Sequence, residues 1–279
     1  MSERRQRRQE RLKSQSSDYK DDNIWLMKGD CLERMREIPD GSVDMVLTDP
    51  PYGTTQNKWD SIIPLDLMWK ELWRVLKPNG VVVLCASQPF TSVLTSSQIK
   101  LWKSQWTWSK NKGTGHLNAK KMPMRFTETL EVFYKKPPTY NPQMTTGHKE
   151  VKYAGNRADK ASSNYGTVVD TVYDSGDKRH PRNILDIPVV NNDGTGGDGE
   201  KLHPTQKPVA LMEYLIKTYT NEGETVLDFT MGSGATIKSA HNLNRKAIGI
   251  ENGHCEKKDH KYKGVHWVNV LVQEMGLLS

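Results

Sequence analysis

Strand-like apolar runs alternate with helical patterns along this chain. That alternation confines it to an α/β fold with a mainly parallel sheet. Ile24–Met27, Met45–Leu47, Val81–Cys85, Gln105–Ser109 and Leu130–Tyr134 read as strands, and Leu65–Leu76 as an amphipathic helix stopped at Pro78-Asn79-Gly80. From His203 to Glu251 the pattern returns to helix-strand-helix-strand. The intervening stretch is rich in Pro, Gly, Asn, Thr and Lys, lacks helical periodicity, and closes on the loop-like Asn191–Gly199. Four parts follow: a basic disordered arm (1–22), a first half-domain (23–136), an insertion (137–202) and a second half-domain (203–279).

The run Val43–Leu47 ends at Asp49-Pro50-Pro51-Tyr52. A carboxylate, two prolines and an aromatic at a strand's carboxyl end make a rigid platform with one acceptor and one stacking face. The Asp49 carboxylate and the Pro50 carbonyl can both accept hydrogens from one NH2 group, and Tyr52 can cover a planar ring. A strand followed by an ordinary Pro-Pro turn is the plain alternative.

Downstream, Thr225-Val226-Leu227-Asp228-Phe229-Thr230-Met231-Gly232-Ser233-Gly234 reads as a strand entering a Gly-x-Gly turn, with a helix-like run from Ala235 to Asn244. Glycines there let the backbone approach a ligand and take positive φ. Lys246–Ile250 is a second strand, ending in Glu251. A strand-end acid about 20 residues past such a turn suits two ribose hydroxyls, so turn and acid together point to an adenosine-containing cofactor. Ile24–Met27 likewise runs to Asp30, beside Cys31, and Asp30 reads equally well as an N-cap for Leu32–Ile38.

These motifs resemble the S-adenosylmethionine-dependent DNA amino-methyltransferases. Asp49-Pro50-Pro51-Tyr52 is similar to their catalytic motif, and Asp228-x-x-x-Gly232-Ser233-Gly234 to their cofactor loop. His203-Pro204-Thr205-Gln206-Lys207-Pro208 matches the motif preceding that loop in the beta class, in which the catalytic motif comes first. The resemblance covers roughly Asn23 to Glu251 and is nearest to the solitary and phage-borne members. Phe229 and Thr230 stand where members often have Pro-Phe, and Ala235 precedes Thr236 where Thr is usual.

The resemblance implies a Rossmann-like methyltransferase fold with permuted motif order and an inserted target-recognition region. It implies Asp49, Pro50, Pro51 and Tyr52 as catalytic residues. It implies Asp30, Cys31, Thr205, Lys207, Asp228, Thr230, Gly232, Gly234 and Glu251 as binders of S-adenosyl-L-methionine. Thr205 or Lys207 would meet the methionine carboxylate, and Thr205 reads alternatively as a helix N-cap ahead of Pro208. The cofactor loop would then lie beside Asp49 at the switch point of the sheet.

Bulk properties agree with this reading. A formal net charge of +7 favours a polyanionic partner such as double-stranded DNA. The arginines at 4, 5, 7, 8 and 11, with Lys13, concentrate charge in the arm, and the insertion carries Lys149, Lys152, Arg157, Lys160, Lys178, Arg179 and Arg182. Basic side chains bind phosphate, and Arg or Asn read base edges, so the insertion is the expected recognition region. Three well-separated cysteines and no signal-like apolar core place the expected compartment in the bacterial or phage-infected cytoplasm, with no membrane association and a homodimer as a candidate assembly. His254, Cys255 and His260 are too few for a closed zinc site, so no metal is expected. Trp106 and Trp108 share one strand face and suit either a base pocket or core packing.

The expected reaction is methyl transfer to the N6 amine of adenine, flipped out of the duplex. Three alternatives stay open: N4-cytosine methylation, the same chemistry on RNA or protein, and a nucleic-acid-binding protein without activity.

Overall fold

The computed structural model describes residues 17–55, 57, 60–150, 152–153, 173–174, 176–191, 201–203, 205–255, 260 and 262–277. Eleven strands run in chain order among these residues: β1 (Tyr19–Lys20), β2 (Ile24–Lys28), β3 (Val43–Thr48), β4 (Leu76–Ala86), β5 (Trp102–Thr114), β6 (Arg125–Phe133), β7 (Lys152–Tyr153), β8 (Tyr173–Asp174), β9 (Ile184–Asp186), β10 (Thr225–Asp228) and β11 (Lys246–Glu251). Among the described residues the helices of four residues or more are α1 (Cys31–Arg34), α2 (Leu65–Val75), α3 (Phe90–Ser97), α4 (Val209–Tyr219), α5 (Ala235–Asn242) and α6 (Trp267–Glu274).

Nine strands form one sheet in the order β1-β2-β11-β10-β3-β4-β6-β5-β9. The five from β2 to β4 are mutually parallel, and β6 runs antiparallel to both β4 and β5. This is the expected α/β methyltransferase architecture. β3 and β10 read as near-continuous apolar runs because both faces of the sheet are covered. The core accordingly lies in two layers, one around Met45, Val83 and Leu215, the other around Val46, Leu72 and Phe229.

The chain leaves β3 toward β4 on one side, and β10 toward β11 on the other. The gap between β3 and β10 is therefore a topological switch point, where an open sheet leaves a crevice at the strands' carboxyl ends. Permuted motif order is compatible with this packing because the parallel register of β10 with β3 pairs Val226 with Met45 regardless of which strand was made first.

Several local expectations need correction. The arm does not extend to residue 22. Tyr19–Lys20 pairs antiparallel with β2, and the Asp18 carboxylate accepts from Lys28 N at 2.8 Å and from the Arg34 guanidinium. Residues 1–16 lie outside the described residues. Pro78-Asn79-Gly80 ends the helical pattern but belongs to the start of a long β4, where Gly80 packs closely under Leu76. Trp106 and Trp108 are both core residues, their indole N–H groups donating to Tyr219 Oη at 2.9 Å and to the Ile187 carbonyl at 2.7 Å. The polar stretch after Glu251 leads into α6, whose Leu271 and Val272 join the core.

Pro142–Arg182 forms a separate compact unit, narrower than the 137–202 insertion read from composition. Within it β7 pairs antiparallel with β8, and the Thr145 and Arg179 backbones exchange two hydrogen bonds of 3.0 and 2.9 Å. Arg157 and Lys160 lie outside the described residues. Ile184–Asp186 instead joins the main sheet, beside β5.

Candidate active site

β3 delivers Asp49 to the switch point. The carboxylate is held on both sides: Tyr52 Oη donates to Oδ1 at 2.5 Å, and Lys207 Nζ to Oδ2 at 2.6 Å. The same ammonium lies 3.2 Å from Glu128 Oε2 on β6, and Glu128 Oε1 accepts from Lys110 on β5 at 2.9 Å. Two carboxylates and two ammoniums thus alternate in a row. The Lys207 and Lys110 side chains are only 8% and 4% exposed, which makes their pairing obligatory.

Burial pushes the Asp49 carboxyl above its ordinary range; the Lys207 ammonium pulls it back and Glu128 adds to the rise. Burial also pushes Glu128 up, but Lys207 and Lys110 outweigh it and leave that carboxyl low. Burial would lower Lys207; Asp49 and Glu128 more than reverse it. Tyr52 and Cys85, both beside Asp49, are pushed well above their usual values, first by burial.

Tyr52 stands on a loop organised by one residue. The Asp60 carboxylate accepts four backbone N–H bonds: Oδ1 from Tyr52 at 2.8 Å and Gly53 at 2.9 Å, Oδ2 from Thr54 at 2.9 Å and Thr55 at 2.6 Å. The Tyr52 ring stacks on Phe90, with centroids 5.4 Å apart and 21° between planes. Asp60, Phe90, Glu128 and Lys110 escape sequence reading. Phe90 and Asp60 belong to no period, and Glu128 sits three residues from another strand acid, Glu131, which is bonded inside the sheet by Trp102 and Gln105.

The second motif meets the first through hydroxyls. Thr48 Oγ1 lies 2.5 Å from Asp228 Oδ1 and 2.7 Å from Thr230 Oγ1, and Thr230 donates to the Asp49 carbonyl at 3.2 Å. Asp228 also accepts from Thr230 N at 3.1 Å, and burial raises its carboxyl to about 7 against the lowering effect of these bonds. Thr230, a departure from the usual motif, is therefore the bridge between both loops. Phe229 beside it is buried in the core.

The two glycines of the turn do different things. Gly232 has φ +50°, donates its N–H to Glu251 Oε2 at 2.8 Å, and a Cβ built on it meets nothing within 4 Å. Gly234 has φ +81°, and a Cβ there would press into the Leu271 side chain. Only Gly232 faces open space, as a ligand-approach position must. Glu251 Oε1 accepts from Asn252 N at 3.0 Å and Gly253 N at 2.8 Å. Burial raises the Glu251 carboxyl while those N–H bonds hold it down. Three of about four lone-pair positions on this carboxylate are filled by backbone, leaving acceptor capacity for a sugar hydroxyl. Open space at Gly232 next to a carboxylate with spare acceptor capacity fits the ribose end of S-adenosylmethionine.

The remaining expected binders divide. Asp30 lies at the end of β2, whose Lys28 is in register with Glu251, and its Oδ1 caps α1 through Leu32 N at 2.9 Å and Glu33 N at 3.3 Å. Cys31 is buried, its thiol pushed up to about 12 by burial and by Asp30. Thr205 is no N-cap: α4 begins at Val209 behind Pro208, and Thr205 Oγ1 lies 3.0 Å from His203 Nδ1. His203 is lowered to about 4 by burial and by Lys207. Pro204 lies outside the described residues. Lys207, expected alongside Thr205 as an alternative partner for the methionine carboxylate, donates to Asp49 Oδ2 at 2.6 Å. Cys255 Sγ sits 4.0 Å from His260 Nδ1, and among the described residues no group of three or more His, Cys, Asp or Glu side chains could hold a metal ion. No described helix is long and apolar enough to cross a membrane.

The comparisons with known proteins agree with this geometry. A family model described as DNA methylase (N6_N4_Mtase) matches residues 43–259. The chain is 28% identical over 248 residues to the Type II methyltransferase M.BamHI of Bacillus amyloliquefaciens, covering 83% of this chain but only 55% of that relative. It is 29% identical over 238 residues to the DNA adenine methyltransferase YhdJ of Escherichia coli, covering 81% of this chain and 77% of the relative. Among solved structures, M1.HpyAVI aligns with a TM-score of 0.57 at 21% identity, over 91% of this chain and all of that one. The PvuII DNA methyltransferase (cytosine-N4-specific) aligns at 0.59 and 18% identity, over 84% of each chain. These two structural likenesses bear on the fold. With the family model spanning most of the sequence and both motifs meeting at one crevice, this chain belongs to the N6/N4 DNA methylase family of S-adenosylmethionine-dependent methyltransferases.

Proposed function

We propose that this protein methylates the N6 amine of adenine in duplex DNA. The observation that carries the reading is the Asp49 carboxylate at the switch point, tied through Thr48 and Thr230 to the cofactor turn. Bound S-adenosylmethionine would supply an electrophilic methyl group on a sulfonium. Glu251 and the open Gly232 backbone hold its adenosine part. Asp49 and the Pro50 carbonyl accept the two amine hydrogens of the target base and turn its nitrogen lone pair outward, so positioning provides most of the rate. The carboxylate also stabilises positive charge as it develops on that nitrogen.

A duplex buries the amine, so the base is extruded to reach Asp49. Tyr52, backed by Phe90, offers the stacking surface. The basic side chains between residues 137 and 202 are the proposed reader of the target sequence, and the arm adds phosphate contacts. Adenine is favoured over cytosine by the Asp at the head of the catalytic motif and by the named specificity of the Escherichia coli relative.

The test is nucleoside digestion of DNA from an expressing host, followed by mass spectrometry. N6-methyladenine is expected, and N4-methylcytosine as the only product would overturn the base while keeping the chemistry. Transfer should continue in excess chelator, since displacement at a sulfonium needs no Lewis acid. Asp49→Ala should abolish transfer with cofactor binding retained; wild-type turnover in that variant would remove Asp49 as the amine acceptor.

A further inference from the structure

We propose that Glu128 is a positioning residue for this reaction: a second seat for the Lys207 ammonium, which moves onto it when the target amine takes the Asp49 carboxylate. The inference rests on the acceptor role proposed for Asp49. Both Asp49 oxygens already have partners, Tyr52 on Oδ1 and Lys207 on Oδ2. An arriving NH2 group competes with Lys207 for Oδ2. The Lys207 side chain is 8% exposed, so its ammonium cannot withdraw into water, and leaving it unpaired there is strongly unfavourable. Glu128 Oε2 is 3.2 Å away on the neighbouring side of the same ammonium. A sub-ångström shift exchanges the long separation for the short one. No bond is made or broken, no proton moves, and the site keeps two anions and two cations, since Lys110 stays on Glu128 Oε1.

The other groups around Lys207 do not offer a seat. The Tyr52 ring centroid is 5.8 Å from Nζ. Tyr52 and Cys85 remain protonated at neutral pH, since burial raises both. His203 is neutral there, and its nearness to Lys207 is part of what lowers it. Asp228 is taken by Thr48 and Thr230.

Glu128→Gln keeps the size of the side chain and removes the negative charge that makes it a seat for an ammonium. Lys207 then stays on Asp49. With tritium-labelled S-adenosylmethionine and unmethylated genomic DNA, kcat should fall at least about tenfold, the loss expected when a charged hydrogen bond is not replaced. Cofactor affinity by calorimetry should not change. Glu128→Gln also takes the charged partner from the buried Lys110, a stability loss read separately in urea melts in both backgrounds. Lys207→Met removes the ammonium that needs the seat, so in kcat adding Glu128→Gln to Lys207→Met should cost nothing further. The acid limb of the pH profile should move up in Lys207→Met, because Lys207 is what lowers the Asp49 carboxyl, and should not move up in Glu128→Gln. Wild-type kcat in Glu128→Gln, or an equal further loss in the double variant, would overturn the inference. The comparison with Asp49→Ala separates the two levels: an active Asp49→Ala removes the acceptor reading and this inference together, whereas an inactive one beside a fully active Glu128→Gln removes this inference alone.

Discussion

Asp60→Ala tests whether one carboxylate organises the loop that carries Tyr52. Asp60 is 7% exposed and accepts four backbone N–H bonds of 2.6–2.9 Å from Tyr52, Gly53, Thr54 and Thr55. Gly53, Thr54 and Thr55 are exposed, so water replaces their missing acceptor and each bond is worth its net value, roughly 0.5–1 kcal/mol. Four such bonds come to about 2–4 kcal/mol. For a domain of this size that corresponds to a fall of roughly 5–15 °C in Tm. Activity should suffer more than stability suggests, because Tyr52 both stacks on Phe90 and bonds Asp49, and a misplacement of about 1 Å in such a site costs on the order of a hundredfold. Cofactor affinity should stay, since Asp60 touches neither Gly232 nor Glu251. Burial raises the Asp60 carboxyl, but the Thr55 side chain and the loop N–H groups lower it more, for a net value below 3.8. Its stabilisation is therefore complete above the unfolded value near 3.8 and vanishes as pH falls through the folded one. The stability gap between wild type and Asp60→Ala should be constant from about pH 5 upward and close at lower pH. Denaturant melts across pH, calorimetry and single-turnover transfer measure the three quantities. An Asp60→Ala protein with wild-type Tm and wild-type turnover at neutral pH would refute the reasoning.

Gly232→Val should block cofactor binding, because a β-branched side chain is strained at φ +50° and projects where the ligand backs onto the turn, and Glu251→Ala should weaken binding at least about tenfold while stranding the N–H groups of Gly232, Asn252 and Gly253. Undiminished affinity by calorimetry in both variants would dispose of the pocket. Asp228 has a folded value of about 7 against 3.8, so it binds a proton that the unfolded chain has released, and its stability contribution declines as pH rises from about 4 to 7. Asp228→Asn should thus gain on wild type by several kcal/mol in urea melts between those limits, and an unchanged difference at pH 5 and pH 8 would contradict the buried charge. Deleting residues 1–16 should lower DNA affinity and flatten its salt dependence by about 0.9 in log–log slope for each phosphate the arm neutralises, without changing the methylated sequence; an unaltered slope means the arm does not touch DNA.

The sequence by itself determined the α/β class, the strands ending at Asp49, Asp228 and Glu251, and the turn at Gly232. Those features are local: a two-residue alternation, an apolar run, a glycine forced to positive φ. What only the tertiary structure decided is which of these residues share an environment. Asp30 was legible as a cap or a ligand, and its bonds to Leu32 and Glu33 show the cap directly. Gly232 and Gly234 are two residues apart and look alike in sequence, yet the packing of α6 sets Gly234 against Leu271 and leaves Gly232 open. Nothing local marks Lys207 as a partner of Asp49, 158 positions away, yet the fold brings its ammonium onto that carboxylate. Thr48 and Asp228 meet across 180 positions. No periodic signal encodes such pairings, because they arise from the order in which strands enter the sheet and from the shortage of water around a buried charge. An ammonium with 8% of its side chain exposed must find carboxylates within reach, and Asp49 at the end of β3 and Glu128 on β6 are the ones the fold provides.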